Sequence, residues 1–175
     1  GLSGKLYVVE RASGKVQQLK TGEGAAIDPK FSPDGSAVGF VRNNDVQVVD
    51  LKANAEKAVT EGGTDVKPHG LAEVGFWFSP DGKQVCFQET DHTGMEQFGI
   101  PDPMHPEGQP DRFFYPRPGK ANAKVKLFLT ASTGGKATEV AWDSGSFPYV
   151  ATVVWPKKGA LTVVVQNREQ TKQQV

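Results

Sequence analysis

The stretch Phe31-Ser32-Pro33-Asp34-Gly35 decides how this sequence folds, because it recurs 47 residues later as Phe78-Ser79-Pro80-Asp81-Gly82. A degraded third copy stands at residues 155–159. In each full copy the aromatic residue ends a strand, and proline presets φ to about −65°. The aspartate can bond to the backbone ahead of it, and the glycine accepts a positive φ. We therefore predict that each full copy is a tight turn between a buried strand and the next strand.

The segments that follow the first turn continue the pattern. Residues 37–41 and 46–50 are rich in valine and flank a polar turn at residues 42–45, whereas residues 56–60 form a weaker, exposed strand. Four short antiparallel strands repeating every 40 to 50 residues or so are typical of a β-propeller blade. A β-sandwich also uses short strands and tight turns, but the repeated turn favours the propeller.

Placing this template along the chain predicts an all-β fold, a partial β-propeller of four-stranded antiparallel blades. About two full blades and two half blades fit, whereas closed propellers have about four to eight blades. Residues 1–175 are therefore predicted to be a fragment of a single β-propeller domain. Its bare sheet edges predict self-association as a homo-oligomer, or cover by other parts of the protein. The first full blade is predicted at residues 25–60. The second is predicted to begin near Val74 and to continue at residues 84–89, 123–130 and 136–141, and the half blades lie at residues 6–10 with 15–19 and 149–155 with 160–166.

A proline-rich excursion interrupts the second full blade. Residues 91–122 contain six prolines, a composition that predicts neither a regular strand nor a helix, so the excursion is expected to be irregular. Such an excursion either carries a function or interaction, or packs as an arm on its own blade. The aromatic residues Phe113, Phe114 and Tyr115 beside Arg112 fit both interpretations, as anchors for a partner or as pins for the excursion.

The composition excludes several classes of protein. Twenty basic and 20 acidic side chains cancel, so no basic footprint indicates nucleic-acid binding. No run approaches the roughly 20 apolar residues that cross a bilayer. A single cysteine excludes an intrachain disulfide framework, and 20 glycines with 12 prolines indicate a turn-rich β protein.

Few residues suggest chemistry. His69, His92 and His105 lack metal-ligand spacing, so neither a metal nor another cofactor is predicted. Cys86 lies inside a predicted strand and is expected to be a small buried side chain. There is no Gly-x-Ser-x-Gly nucleophile elbow, so no catalytic residue is predicted in this chain.

Acidic residues cluster where the excursion leaves its blade, at Glu89, Asp91 and Glu96. One interpretation is a solvated strand end. The other is an anionic surface that meets a cationic group, such as the amino terminus of a peptide. The sequence leaves both interpretations open.

Several segments together resemble one known family, the amino-terminal domain of dipeptidyl peptidase IV. The similarity runs in order along nearly the whole chain. The Ser-Pro-Asp-Gly turn alone would be weak support, since many propellers use it. The segments that carry the resemblance are residues 31–35 with 43–45, residues 75–83, Tyr115-Pro116 with Gly119 and Asn122, residues 125–127, residues 150–155 and residues 166–170.

The resemblance implies an eight-bladed propeller that caps a carboxy-terminal α/β-hydrolase domain. That family removes dipeptides from peptide amino termini, often after proline, with a Ser-His-Asp triad in the hydrolase domain. The implied partners are that hydrolase domain and a peptide substrate with a free amino terminus. The implied location is extracytoplasmic, either periplasmic or anchored to a membrane.

The family's amine-binding glutamate pair should follow residues 70–73, but here Glu73 runs directly into Val74. Glu73 matches the acidic neighbour of the pair. About ten residues are absent, so we predict either a deletion or a chain break at this junction. A break would separate the two Cα atoms by clearly more than about 3.8 Å. The candidate substrate-binding residues are therefore Glu73, Glu89 and Asp91.

Two functions follow from these observations. The leading one is a propeller fragment of a dipeptidyl peptidase IV-like serine exopeptidase, which gates access and recognises the peptide amino terminus without catalysis of its own. The alternative is a non-catalytic β-propeller module that binds proteins. A gene that continues into a Gly-x-Ser-x-Gly hydrolase would favour the first, and one ending near Val175 the second.

Overall fold

The computed structural model describes residues 4–71 and 75–175. Every regular element in this part of the chain is a β-strand. The strands form five antiparallel sheets, of which two have four strands, as the sequence predicts. No helix among the described residues is long and apolar enough to cross a membrane.

The first blade follows a two-stranded half sheet. The half sheet pairs β1 (Tyr7–Val9) with β2 (Val16–Gln18). The first blade pairs its four strands in chain order, and a two-residue turn at Asn43 and Asn44, both at positive φ, joins β4 to β5. Its strands are β3 (Ile27–Phe31), β4 (Ala37–Arg42), β5 (Asp45–Asp50) and β6 (Ala55–Ala58).

The second blade has the same antiparallel order but is interrupted in the chain. Its strands are β7 (Phe76–Phe78), β8 (Gln84–Asp91), β11 (Lys124–Ala131) and β12 (Thr138–Val140). The long strands β8 and β11 pair from Gln84↔Ala131 to Asp91↔Lys124. The excursion therefore leaves and returns at one point of the blade.

The excursion contains regular structure, so the prediction of an irregular segment is wrong for its middle part. Strands β9 (Gln97–Ile100) and β10 (Asp111–Phe114) form a hairpin, here called the arm hairpin. The prolines lie outside these two strands, so every strand residue keeps its N–H donor for pairing. Proline content alone therefore does not reveal these strands, because one ends just before Pro101 and the other begins just after Pro110.

The chain ends in a three-stranded sheet, in the order β13 (Tyr149–Val154), β14 (Thr162–Gln166) and β15 (Gln173–Gln174). The first two strands match the predicted opening of a fourth blade. A bulge between Val150 and Thr152 shifts their register.

Both predicted turns form. The N–H of Gly35 donates to the carbonyl of Ser32 at 2.9 Å, and that of Gly82 to Ser79 at 2.8 Å. The two glycines have φ of 73° and 70°. The preceding aspartates accept bonds from the backbone ahead, as the sequence predicts.

Consecutive sheets pack face to face through three apolar clusters. Leu6 and Leu19 of the half-sheet region meet Phe40 and its neighbours on the first blade. The opposite face of the first blade packs its valines against Phe76, Phe78 and Phe87 of the second blade. The second blade then meets the last sheet around its buried cysteine. Sheets buried on both faces in this way form the stacked blades of a partial propeller.

Close approach between the two blades requires glycine at position 39. A Cβ on Gly39 would lie 2.8 Å from ring atoms of both Phe76 and Phe78. The Lys30 ammonium also crosses between the blades, donating to the carbonyl of Phe76 at 2.8 Å and lying 4.0 Å from the centre of its ring. The two blades are therefore joined by apolar and polar contacts.

One detail of the predicted repeat is wrong. Phe78 is 9% exposed, but Phe31, at the same place in the first copy, is 59% exposed. Phe31 pairs with Val38 and shares its face, which points toward the half sheet. The cluster formed with Leu6 and Leu19 includes Val38 and Phe40 but not Phe31, and residues along β3 alternate between exposed and half-buried, so β3 is not a buried strand.

Candidate functional site

A cleft of about 560 Å³ lies between the first and second blades. One wall comes from the end of the first blade and the loop after it, and the other from β8, β11 and the segment just before β12. Two glutamates, a histidine and two phenylalanines give it both polar and aromatic character. Its lining residues are Ala58, Val59, Thr60, Glu61, His69, Phe87, Glu89, Phe128, Gly135 and Ala137.

Asp45 anchors the cleft from the first blade. It begins β5, directly after the Asn43-Asn44 turn. Its carboxylate accepts hydrogen bonds from the Thr60 hydroxyl at 2.7 Å and from the N–H of Gly63 at 3.1 and 3.2 Å. A Cβ on Gly63 would lie 1.9 Å from the carbonyl oxygen of Asn44, so only glycine fits against this turn. The Asp45 carboxylate is therefore fixed by the surrounding backbone.

His69 reaches the cleft from a connecting segment that runs beside β8. The N–H of Gly70 donates to Gln88 O at 2.7 Å, and that of Thr90 donates to Pro68 O at 3.1 Å. The N–H of His69 itself donates to Asn44 O at 2.8 Å. These bonds attach the segment to both blades and hold the imidazole between them.

The imidazole of His69 lies between two carboxylates. Its Nδ1 is 2.8 Å from Asp45 Oδ1, and its Nε2 is 3.4 Å from Glu89 Oε2. The ring also packs against Phe87, with centroids 5.5 Å apart, and Phe87 stacks on Phe128. His69, which the sequence offers only as an unsuitable metal ligand, is thus a central residue of the cleft.

Of the predicted substrate-binding residues, Glu89 lines the cleft. It lies on β8, and its neighbour across the sheet, Lys126, pairs with Glu139 at 3.1 Å. Glu89 therefore faces His69 without competition from that lysine. Glu61 lines the same cleft from the loop after the first blade.

Asp91 stands two residues further along β8 but is held by other groups. Thr93 donates its backbone N–H at 2.8 Å, and the Lys67 ammonium lies 3.0 Å away. Hydrogen bonds from Thr93, followed by the contact with Lys67, hold the pKa of this carboxyl well below its ordinary value. Asp91 is thus an ionised carboxylate already paired with a cation.

The third member of the predicted acidic cluster, Glu96, also has its own cations. It pairs with Arg117 and, at 3.0 Å, with Lys120, both within the excursion. The Arg117 hydrogen bond is the main cause of the lowered pKa of Glu96. Asp91 and Glu96 are thus paired with different cations, whereas Glu89 faces His69, so the three acidic residues do not act as one anionic surface.

Glu73, the remaining predicted site residue, lies outside the described residues, as does its junction with Val74. The role of Glu73 and the nature of this junction stay predictions. Cys86 is fully buried, and burial raises the pKa of its thiol to about 12, which agrees with the predicted packing role. Within residues 4–71 and 75–175, no group of three side chains is arranged to hold a metal ion.

Sequence reasoning missed Asp45, Glu61 and Gly63 as site residues. Asp45 and His69 are 24 residues apart, and His69 and Glu89 are 20 apart, so no local spacing connects them. The only available signals were the Asn-Asn-Asp turn and the Pro-His-Gly sequence at 68–70, both of which also fit ordinary turns.

Known proteins resemble this chain along its whole length. Residues 1–175 match the family model described as the N-terminal region of dipeptidyl peptidase IV. A protein of Neosartorya fischeri named "Probable dipeptidyl peptidase 4" is 30% identical over 167 residues, covering 83% of this chain and 22% of the relative. A "Probable dipeptidyl-aminopeptidase B" of Penicillium rubens is 25% identical, covering 95% of this chain and 22% of that protein.

A solved structure has the same fold. The crystal structure of Porphyromonas gingivalis dipeptidyl peptidase 4 superposes with a TM-score of 0.82 at 23% identity, covering 95% of this chain and 26% of that one. The chain thus spans about a quarter of the length of the proteins that it matches.

Proposed function

Because this chain belongs to the dipeptidyl peptidase IV family, whose N-terminal region it matches from residue 1 to 175, we propose that it recognises the amino terminus of a peptide substrate. In this proposal the chain is the propeller part of an exopeptidase and gates access to a separate catalytic domain. It supplies no catalytic group of its own. The whole-chain family match is the observation that carries the proposal.

The cleft offers suitable chemistry for an amino terminus. A primary ammonium has three N–H donors, and ionised carboxylates are its strongest acceptors. Glu89 and Glu61 line the cleft as carboxylates, and Phe87 and Phe128 provide an apolar wall. Asp91 and Glu73 are further candidates. Asp91 would have to bind the ammonium of the peptide in addition to that of Lys67, with which it is already paired.

A matched pair of substitutions in the full-length enzyme tests the proposal. We expect Glu89→Gln to lower kcat/KM on a dipeptidyl-proline substrate about 10- to 100-fold, because a hydrogen bond to a charged group contributes about 1.5–3 kcal/mol. Glu107→Gln is the control, since this glutamate is exposed on the excursion and does not line the cleft. Equal activity of wild type and Glu89→Gln would contradict the assignment of Glu89.

The isolated 175-residue chain provides a second test. It is expected not to hydrolyse the same substrate, because it contains no nucleophile elbow. It should bind a proline-containing tripeptide with a free amino terminus better than the N-acetylated form. Hydrolysis above background that a serine-directed inhibitor abolishes would refute the non-catalytic role.

The arm hairpin favours a second candidate function, a module that binds proteins. Phe98 and Phe113 pair across its two strands and are 57% and 51% exposed. Exposed aromatic residues on a projecting hairpin are typical of interaction surfaces. Retention of partner binding by a Glu89→Gln variant, with loss in a Phe98→Ser/Phe113→Ser variant, would favour this function over amine recognition.

A further inference from the structure

The contacts of His69 leave its Nε2 atom with an unusual neighbour. Asp45, which already accepts bonds from Thr60 and Gly63, accepts the Nδ1–H of the ring at 2.8 Å. This bond assigns the hydrogen of a neutral imidazole to Nδ1. Nε2 then carries a lone pair, 3.4 Å from the Glu89 carboxylate.

Nε2 of His69 and the Glu89 carboxylate face each other as two hydrogen-bond acceptors, so a donated hydrogen is needed between them. An ionised carboxylate only accepts hydrogen bonds, and so does the unprotonated nitrogen of a neutral imidazole. One way to satisfy both is a proton on Nε2, which makes His69 a cation between two carboxylates. The other is an N–H donor from a ligand in the cleft, placed within reach of both Nε2 and Glu89.

The surrounding charges make one positive charge favourable at this place. Asp45 faces His69 from the first blade and Glu89 from β8, and Glu61 lines the same cleft. The nearby Lys67 is paired with Asp91. Among the described lining residues there is no lysine or arginine, so the proton on His69 is the only positive charge that they can supply.

We propose that His69 regulates amine binding in this cleft by exchanging its Nε2 proton for the ammonium of the ligand. The inference rests on the proposed function, since it concerns the same cleft. With the ring neutral, Nε2 and Glu89 both accept hydrogen bonds from the ammonium. When pH falls, the proton taken up at Nε2 removes this acceptor and places a positive charge beside Glu89 that repels the ammonium. Each ammonium that binds a protonated site therefore releases one proton to solvent.

Proton exchange predicts a sign and a size for the effect of pH. An imidazole titrates between about pH 5 and 8 in ordinary surroundings, whereas a peptide ammonium, with an ordinary pKa of about 7.7–8, stays charged below pH 7. Affinity for a free-amine peptide should therefore fall as pH is lowered from 7 to 5.5. Release of one proton limits the change to about tenfold for each pH unit.

The experiment measures binding of the tripeptide Gly-Pro-Gly to the 175-residue chain by calorimetry between pH 5.5 and 7, with its N-acetylated form as the reference. His69→Asn removes the titrating ring, while the asparagine amide can still donate to Asp45. His105→Asn is the matched control, because His105 also lies near a glutamate, Glu107, at 3.6 Å, but on the exposed excursion. Calorimetry in buffers of different ionisation enthalpy counts the protons released.

Proton NMR of the ring of His69 in the wild-type chain gives an independent measurement that does not depend on a variant folding. Addition of Gly-Pro-Gly at low pH should move the His69 resonances from the protonated to the neutral position and leave those of His105 unchanged. The inference is supported if the pH dependence of binding is lost in His69→Asn and retained in His105→Asn. Binding with unchanged pH dependence in His69→Asn, or without deprotonation of His69, overturns it and leaves the proposed function standing. Equal affinity for the free and acetylated peptides overturns both.

Discussion

The first and second blades carry the same five-residue turn, at 31–35 and 78–82, but differ in the connection between their middle strands and in the burial of the aromatic residue of the turn. In the first blade a two-residue turn joins β4 to β5, whereas in the second the excursion separates β8 from β11. The aromatic residue of the turn is exposed in the first blade and buried in the second. The difference shows that the turn itself depends on local sequence, whereas the burial of its strand depends on the neighbouring sheet.

The largest expected effect concerns the two equivalent phenylalanines. Phe78→Ala should lower the free energy of unfolding by about 3–5 kcal/mol, the usual cost of removing a buried phenylalanine ring. Phe31→Ala should cost less than about 1 kcal/mol, because Phe31 is 59% exposed. Urea unfolding of both variants measures the difference. Equal losses would mean that another surface covers Phe31 in solution.

The two turn glycines should respond almost equally. Ala at Gly35 or Gly82 is expected to cost about 1–2 kcal/mol, because both glycines have positive φ. Gly82→Ala should cost slightly more, since its Cβ would lie 3.3 Å from Asp34 Oδ1, whereas a Cβ on Gly35 meets nothing within 4 Å. The measurement is again urea unfolding. A loss at one glycine only would show that the turns are not independent of their blades.

Cleavage within the excursion should have a smaller effect on stability. Glu107 lies between the two strands of the arm hairpin and its side chain is 76% exposed, so a glutamate-specific protease should cut after it early. The nicked chain should unfold at nearly the same urea concentration as the intact one, because β8 and β11 remain paired. Mass spectrometry identifies the cut, and Glu107→Gln should remove it. A large loss of stability on nicking would show that the excursion supports the blade.

The smallest effect concerns the two turn aspartates. The Ser32 hydroxyl, followed by the N–H and hydroxyl of Ser36, lowers the pKa of Asp34 from 3.8 to about 2. A carboxyl with a lowered pKa in the folded state stabilises the fold above its ordinary pKa. This contribution should therefore be present above about pH 4 and disappear as pH falls toward 2.

Substitution of one serine sharpens the comparison of the two turns. Position 83 in the second turn, which corresponds to Ser36, is lysine. Asp81 therefore has no counterpart of the Ser36 hydroxyl bond, and its pKa is lowered mainly by the hydroxyl of Ser79. Ser36→Ala should therefore raise the pKa of Asp34, as measured by carbon NMR of the carboxyl group. Asp81 in the same sample is the internal control and should not change.

Much of the fold follows from the sequence because turns and short strands are local. Proline, aspartate and glycine within five residues specify the turn, and the valine-rich segments after it specify the strands that the structure contains. The same reasoning failed for the excursion. Its six prolines suggested irregular structure, but they stand outside the strands of the arm hairpin.

The cleft was only partly predictable. Glu89 stood out because it precedes the excursion, and it does line the cleft. Asp91 looked equivalent in sequence, but Lys67 and Thr93 hold its carboxylate. The partner of a charged side chain comes from a distant segment, and a single sequence does not reveal which segment that is.

The sequence by itself determined the antiparallel strands, their turns and the division into blades, because backbone preferences and alternation act over a few residues. Only the tertiary structure decided that Phe78 is buried while Phe31 is exposed, since burial depends on which sheet packs against each blade. It also decided that His69 lies between Asp45 and Glu89. Such a cluster forms only when packed blades bring three separate segments into contact.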